Sequence, residues 1–211
     1  MTFAKEAWPF VLPFPALAVV LLLLGRPGWA ATGLVVGVAV LLFFRMPRRS
    51  PAAPEAVVAA AAGLVTGVDE LEDPEVGPGR FHRVVTFLSV FDVHVQRAPV
   101  SGEVVLSRSR RGRRIAAFRK DAGAVNEQHL TVIRRPDGHL VGVRQIAGLL
   151  ARRVVCDLQE GDRVQRGQRL GLIKFGSRVD LLVPEAFHLQ VTRGERVREG
   201  QTPMASPPEA G

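Results

Sequence analysis

The apolar residues of this 211-residue chain are concentrated at its N-terminal end. Residues 7–24 carry no charge, Arg26-Pro27-Gly28 interrupts the run, and residues 29–44 are again uncharged. A helix needs about 20 apolar residues to cross a hydrocarbon core of roughly 30 Å, so the first run is long enough and the second is slightly short. The pattern predicts a transmembrane helical hairpin over residues 1–50 and a separate domain over residues 51–211.

The charges beside the two runs predict how the hairpin is oriented. Arg45, Arg48 and Arg49 follow the second run, whereas the turn between the runs offers only Arg26. The positive-inside rule then places the domain that follows in the cytoplasm, anchored to the cell (inner) membrane. A single cysteine, Cys156, permits no internal disulfide, which agrees with a reducing compartment. A cleaved signal peptide is disfavoured because a second apolar run follows the first.

The pattern changes after the Pro/Arg/Ala-rich linker of residues 47–54, where short apolar stretches alternate with glycine. This spacing is typical of a mainly β domain. The turn Pro136-Asp137-Gly138 is predicted to join two strands. The predicted strands cover residues 84–95, 102–107, 130–134, 140–145, 153–158, 169–175 and 179–183.

A repeated sequence pattern refines the predicted fold class. The pattern G-[D/E]-x-V-x-x-G-Q occurs at residues 161–168 and returns at residues 194–201. Each glycine is expected to supply a positive φ at a tight corner, with the valine between them pointing into the core. Such turn-strand units resemble those of biotinyl and lipoyl carriers, so the sequence predicts a barrel-sandwich-like β domain.

Basic residues cluster in the soluble part at Arg108, Arg110, Arg111, Arg113 and Arg114. The simplest interpretation of this cluster is a solvated loop, and the next is attraction of the arginines to anionic lipid headgroups. Nucleic acid is not an expected partner, because tyrosine is absent and no aromatic stripe accompanies the arginines.

Two further stretches of the sequence contain the candidate functional residues. The glycine-serine pair Gly176-Ser177 stands between two strand-like runs, and residues 91–102 read Phe-Asp-Val-His-Val-Gln-Arg-Ala-Pro-Val-Ser-Gly. On a strand, Asp92, His94 and Gln96 would share one face, with the carboxylate beside the imidazole. Together with the membrane anchor, these stretches resemble the phosphatidylserine decarboxylase family.

The resemblance implies a proenzyme that cuts itself between Gly176 and Ser177. Residue 177 would become a pyruvoyl group, which condenses with the amine of phosphatidylserine and accepts the electron pair released with carbon dioxide, yielding phosphatidylethanolamine. Neither a separate cofactor nor a metal is then implied. The products would be two noncovalently held chains, 1–176 and 177–211. His94 is the implied acid/base, with Asp92 beside it, and the partners are phosphatidylserine and membrane lipid.

Two departures from the family pattern leave alternatives open. Many members have an acid that assists cleavage where this chain has Ala62, and long bacterial relatives have a second histidine where it has Arg97. Either His94, helped by Asp92, serves as the maturation base, or cleavage is slow, or this is an inactive, cleavage-defective member. A different class is a noncatalytic barrel-sandwich module, such as a carrier modified on Lys174 or a transport adaptor. The sequence also leaves homo-oligomerisation open.

Overall fold

The computed structural model describes residues 1–50, 55–113, 115, 122–148, 154–173 and 177–208. The chain divides into two compact units, Met1–Arg48 and Arg49–Gly211. The first is helical, and the regular elements of the second are strands apart from one short helix among its described residues. The mainly β class predicted from the sequence is therefore confirmed.

The first unit is an apolar helical hairpin. Its elements are the strand β1 (Thr2–Phe3), a 3₁₀ turn (Lys5–Ala7), the helices α1 (Trp8–Val11), α2 (Pro13–Leu23) and α3 (Pro27–Phe43), and the strand β2 (Arg45–Met46), which pairs with β1. Helices α2 and α3 approach so closely that a Cβ on Gly37 would lie 2.9 Å from the Cβ of Phe14.

The length of the helices bears on membrane crossing. Lys5–Leu23 forms one helical stretch of 19 residues with a mean hydropathy of 1.9, which is long and apolar enough to span a bilayer. Helix α3 is also apolar but has only 17 residues. The structure thus contains one helical stretch of spanning length within its described residues.

The second unit contains fourteen strands and one short helix, α4 (Ala122–Val125), among its described residues. The strands are β3 (Val57–Val58), β4 (Gly63–Glu72), β5 (Arg80–Leu88), β6 (Val95–Arg97), β7 (Gly102–Arg110), β8 (Gln128–Arg134), β9 (Leu140–Ile146), β10 (Val154–Cys156), β11 (Arg163–Val164), β12 (Arg169–Ile173), β13 (Ser177–Pro184), β14 (His188–Leu189), β15 (Arg196–Val197) and β16 (Pro203–Ser206). Most predicted strands are confirmed within the described residues, outside which residues 153 and 174–175 of the predicted strands lie. Strand β4 was not predicted.

These strands form one large sheet and two small ones. The large sheet has the order β11-β7-β8-β9-β13-β5-β4-β15, and the small sheets have the orders β10-β12-β6 and β14-β16-β3. Strand pairs on the two sides of the β9/β13 boundary match one to one: β8 with β5, β7 with β4 and β11 with β15. The two small sheets match in the same way. The unit therefore has internal two-fold pseudo-symmetry.

The residue registers support this symmetry in detail. A bulge interrupts the pairing of β4 between Val65 and Gly67, and the equivalent bulge of β7 lies between Val104 and Leu106. The small sheets carry matching irregularities in β12 and β16. Strand β13 pairs with β9 so that Leu181 lies opposite Val143, and the pseudo-symmetry axis passes through that pair.

The two halves differ in how their central strands are connected. In one half the hairpin Arg135–His139 joins β8 directly to β9, with Gly138 at a φ of +87° as the predicted turn requires. In the other half β5 ends at Leu88 and its partner β13 begins at Ser177, so residues 89–176 intervene. The second half is thus inserted into the first at the place of this hairpin.

The core lies between the large sheet and the two small sheets. Val84, Val143, Leu181, Ile173 and Met204 contribute to it from both layers. The valines of the repeated glycine turns point into this core as predicted, because Val164 and Val197 are only 4% and 3% exposed and belong to it. All four flanking glycines of the repeat have positive φ: Gly161, Gly167, Gly194 and Gly200.

Candidate functional site

Ser177 lies at the first position of β13, in the middle of the large sheet. It pairs with Leu88 on β5, and its side chain is fully buried. Its Oγ has no hydrogen-bond partner among the described residues. Leaving a buried hydroxyl unpaired costs about 1–3 kcal/mol, which sets Ser177 apart as a candidate site residue. Gly176, the other half of the predicted cleavage site, lies outside the described residues.

The sheet register identifies the face from which Ser177 projects. Side chains alternate along a strand, so Ser177 shares its face with Val179, which belongs to the core. Val179 pairs with Gln145 on β9 and with Thr86 on β5. Ser177 therefore points inward, toward the layer that contains the small sheets.

Two glutamines connect this face to His94. The Nε2 atom of Gln145 donates a hydrogen bond of 2.9 Å to Oε1 of Gln96, and Nε2 of Gln96 donates one of 2.9 Å to the main-chain oxygen of His94. All three residues are fully buried. The glutamines thus fix the backbone of His94 at the end of the molecule where β13 begins. Sequence reasoning gave Gln145 no role, and its signal was an amide on the strand face that otherwise carries Val141 and Val143.

The imidazole of His94 is held in a defined tautomer. Its Nδ1 lies 2.9 Å from the main-chain oxygen of Asp92, and a carbonyl oxygen can only accept, so Nδ1 donates. In the neutral ring Nε2 is then the basic nitrogen. A buried histidine with this arrangement can act as a general base or acid.

The prediction that Asp92, His94 and Gln96 share one face of a strand is wrong. The predicted strand of residues 84–95 is broken, since β5 ends at Leu88 and β6 begins at Val95. Between them the chain turns, and the turn is closed by reciprocal bonds: Ser89 N and Oγ donate to the Asp92 carboxylate at 2.9 and 2.7 Å, and Asp92 N donates to the Ser89 oxygen at 3.0 Å. Such local side-chain to backbone bonds compete with strand formation.

The Asp92 carboxylate accepts the hydrogen bonds of Ser89 that close this turn. Besides Ser89 it forms an ion pair with Arg196 of β15. The main-chain oxygen of Asp92 accepts from His94 Nδ1, so the structure brings Asp92 and His94 together through the backbone of Asp92.

The two positions that depart from the family pattern lie in different surroundings. Ala62 is buried directly before β4. Arg97 donates a hydrogen bond of 2.8 Å to the oxygen of Gly167. Burial lowers the pKa of the Arg97 guanidinium, and the negative charge of Glu199 partly opposes this shift.

The opposite face of β13 carries a buried ion pair. The Arg178 guanidinium donates two hydrogen bonds, of 2.6 and 2.7 Å, to the Asp180 carboxylate. Asp180 pairs in register with Arg144, which in turn binds Asp73 at 2.6 Å. This polar face stabilises the strand that begins with Ser177, without contributing a group to the inner face.

Comparison with known proteins gives a consistent family match. The family model described as phosphatidylserine decarboxylase matches residues 37–205. The phosphatidylserine decarboxylase proenzyme of Symbiobacterium thermophilum is 43% identical over 209 residues, which cover 98% of this chain and 96% of the relative. The proenzyme of Saccharopolyspora erythraea is 44% identical over 200 residues, covering 92% and 85%. That of Anaplasma phagocytophilum is 41% identical over 206 residues, covering 95% and 89%.

Proposed function

The chain belongs to the phosphatidylserine decarboxylase family, and we propose that it decarboxylates phosphatidylserine to phosphatidylethanolamine with a pyruvoyl group made from its own Ser177. The observation that carries this assignment to a residue is the fully buried Ser177 hydroxyl, which has no hydrogen-bond partner among the described residues. The carrier alternative depends on Lys174, which lies outside the described residues.

Self-cleavage would begin with attack by the Ser177 Oγ on the carbonyl carbon of Gly176. The hydroxyl proton passes to a base, the C–N bond breaks, and the released amine takes up a proton, leaving an ester. Removal of the Cα proton of residue 177 then expels the Gly176 carboxylate and leaves dehydroalanine. Addition of water and loss of ammonia complete the pyruvoyl group at the new N-terminus.

His94 is the proposed base for these self-cleavage steps. Its Nδ1 is engaged by the Asp92 main-chain oxygen, which makes Nε2 the basic nitrogen of the ring. Asp92 is proposed as a positioning residue: its carboxylate closes the Ser89–Asp92 turn, and that turn carries the carbonyl that orients the ring. This arrangement would offset the alanine at position 62.

The buried surroundings of Ser177 suit the proposed group. A pyruvoyl group supplies a ketone for the substrate amine and a conjugated carbonyl that takes up the electron pair released with carbon dioxide. The Gln145 Oε1 atom is buried on the same face and has no hydrogen-bond partner among the described residues. It can accept a hydrogen bond from the substrate ammonium, while the surrounding apolar core excludes water.

The N-terminal unit is proposed to anchor the enzyme in the cell membrane. Lys5–Leu23 has spanning length, and α3 would complete a transmembrane hairpin. The three arginines that follow α3, Arg45, Arg48 and Arg49, support a cytoplasmic location for the β domain by the positive-inside rule. The barrel-sandwich-like character of that domain is supported by its paired glycine turns and small sheets.

Intact-mass analysis of the purified full-length chain tests the proposal. The wild type should yield two fragments, 1–176 and 177–211, with the smaller one reacting with carbonyl-trapping reagents. Ser177→Ala should remain one chain and lose decarboxylation, whereas Ser206→Ala, a serine change within the same predicted fragment, should behave as wild type. A wild type that stays uncut and unreactive toward carbonyl reagents would identify a cleavage-defective member and overturn the proposal.

A further inference from the structure

The turn after β5 exposes two adjacent apolar side chains. Val90 is 46% exposed and Phe91 is 83% exposed. Within the described residues of the β unit, no other large apolar side chain is exposed to this degree. Single exposed apolar residues scattered over a surface are ordinary, but an adjacent pair confined to one turn indicates a contact surface.

The turn holds this pair in a fixed arrangement. The reciprocal hydrogen bonds between Ser89 and Asp92 bracket Val90 and Phe91 on both sides. The two side chains therefore form the tip of a closed turn, which we call the apolar tip (Val90 and Phe91). A closed turn presents its side chains to a partner with little loss of conformational entropy.

The apolar tip stands at the candidate site. It begins two residues after Leu88, the strand partner of Ser177, and ends three residues before His94. A surface that contacts the apolar tip would therefore meet the end of the molecule where β13 begins.

Exposed cations lie beside the apolar tip. Arg196 forms an ion pair with Asp92 and still has 65% of its side chain exposed. Arg198 is exposed on the same side of the chain, since the residues between and after them, Val197 and Glu199, are buried. Apolar side chains beside arginines match the interface of a bilayer that contains anionic lipid.

We propose that the apolar tip inserts into the interfacial region of an anionic phospholipid bilayer, so that the site opens onto the lipid surface. Phe91 would enter the boundary between headgroups and acyl chains, and Arg196 and Arg198 would meet the anionic headgroups. The biological purpose of this contact rests on the proposed function, because a diacyl substrate stays in the membrane. The insertion itself can be measured independently of any activity.

Tryptophan fluorescence in full-length protein tests the insertion. Both native tryptophans lie in the N-terminal unit, so the background carries Trp8→Phe and Trp29→Phe. Into it, Phe91→Trp is introduced and the protein is placed in vesicles of brominated phosphatidylcholine with phosphatidylglycerol. The proposal expects quenched and blue-shifted emission. The matched control is Pro136→Trp, in the exposed turn that pseudo-symmetry places at the opposite end of the sheet, and it should remain unquenched.

Three outcomes of the fluorescence measurement decide the proposal. Equal quenching of the Phe91→Trp and Pro136→Trp variants by brominated lipid would overturn the insertion even in an active enzyme. Emission from the Phe91→Trp variant that shifts with protein concentration but not with brominated lipid would identify a second copy as the occupant and also overturn it. Quenching of the Phe91→Trp variant alone, in a protein that decarboxylates no substrate, would support insertion and count against the proposed function only.

A kinetic measurement separates this proposal from the proposed function. The double variant Val90→Ser/Phe91→Ser should raise KM for phosphatidylserine in vesicles by roughly tenfold, because it loses apolar contact with the bilayer. It should leave turnover of a water-soluble short-chain phosphatidylserine unchanged, since that substrate needs no membrane contact. An unchanged KM in vesicles would contradict the insertion.

Discussion

Gln145 of the large sheet donates a buried hydrogen bond of 2.9 Å to Gln96 of the facing small sheet. Gln96 in turn donates a hydrogen bond to the main-chain oxygen of His94. A single amide pair thus ties the strand beside Ser177 to the segment that carries the proposed base. The relative placement of these groups depends on the side chains of Gln96 and Gln145.

Gln145→Leu should slow self-cleavage and destabilise the fold. It leaves the buried Oε1 of Gln96 without its donor, at a cost of roughly 1–3 kcal/mol in the free energy of unfolding. The rate at which fragments appear after synthesis measures the first effect, and denaturant unfolding of the uncut Ser177→Ala background measures the second. Thr131→Val is the matched control, because Thr131 lies on the same face and its hydroxyl makes a weak contact, with Oγ1 3.6 Å from the Cys156 Sγ. Equal cleavage rates in the two variants would contradict the positioning role.

His94→Ala should reduce self-cleavage by roughly 100-fold or more, because general base catalysis typically contributes that much. Pulse–chase synthesis followed by gel analysis measures the conversion of the full chain to fragments. His188→Ala serves as the control, since His188 is an exposed histidine in β14. Cleavage of the His94 variant at the wild-type rate would refute the assignment.

Asp180→Ala should cost about 3–5 kcal/mol in the free energy of unfolding, because it leaves Arg178 charged and unpaired in a buried site. The comparison is Asp69→Ala, which breaks the more exposed pair with Arg83 and should cost at most about 1 kcal/mol. Denaturant unfolding in detergent, on the Ser177→Ala background, gives both values. Similar losses in the two variants would show that burial does not set the energy of the Arg178–Asp180 pair.

His129 should make stability depend on pH. Ser107 Oγ donates to the Leu158 oxygen and so accepts from His129 Nε2, and in the neutral ring Nδ1 then accepts from Ser109 Oγ. Burial lowers the pKa of His129 below its ordinary value of 6.5. A lowered folded-state pKa means that this stability is complete above the unfolded value and is lost as pH falls through the folded value.

His129→Gln keeps a donor and an acceptor but does not titrate, so it should show a smaller loss of stability than the wild type as the solution is acidified from neutrality. Thermal unfolding of both proteins across that pH range measures the difference. Identical pH dependence would mean that the titration of His129 does not contribute.

Local features of the fold could be predicted from the sequence. The repeated G-[D/E]-x-V pattern correctly predicted positive φ at Gly161 and Gly194 and burial of Val164 and Val197, because a tight corner and one inward side chain are set by neighbouring residues. The Pro136-Asp137-Gly138 turn was predicted correctly for the same reason.

Features that depend on distant partners could not be predicted. Strand β4 contains Gly63, Gly67 and several acidic residues, which are poor strand formers, and it exists because it pairs along its length with β5. The break after Leu88 was missed because the apolar pattern continues through Val95, while the reciprocal Ser89–Asp92 bonds that end the strand leave little trace in hydropathy. The choice of Ser177, Gly176, His94 and Asp92 as site residues stays a prediction.

The insertion of one half-unit into the other determines how a cut before Ser177 would divide the molecule. The smaller piece would begin with β13, which lies between β5 and β9 in the interior of the large sheet and pairs with both. Removing it would leave β5 and β9 of the larger piece without the strand that lies between them. The two products would therefore behave as a split protein, in which each piece completes the other and neither keeps its shape alone.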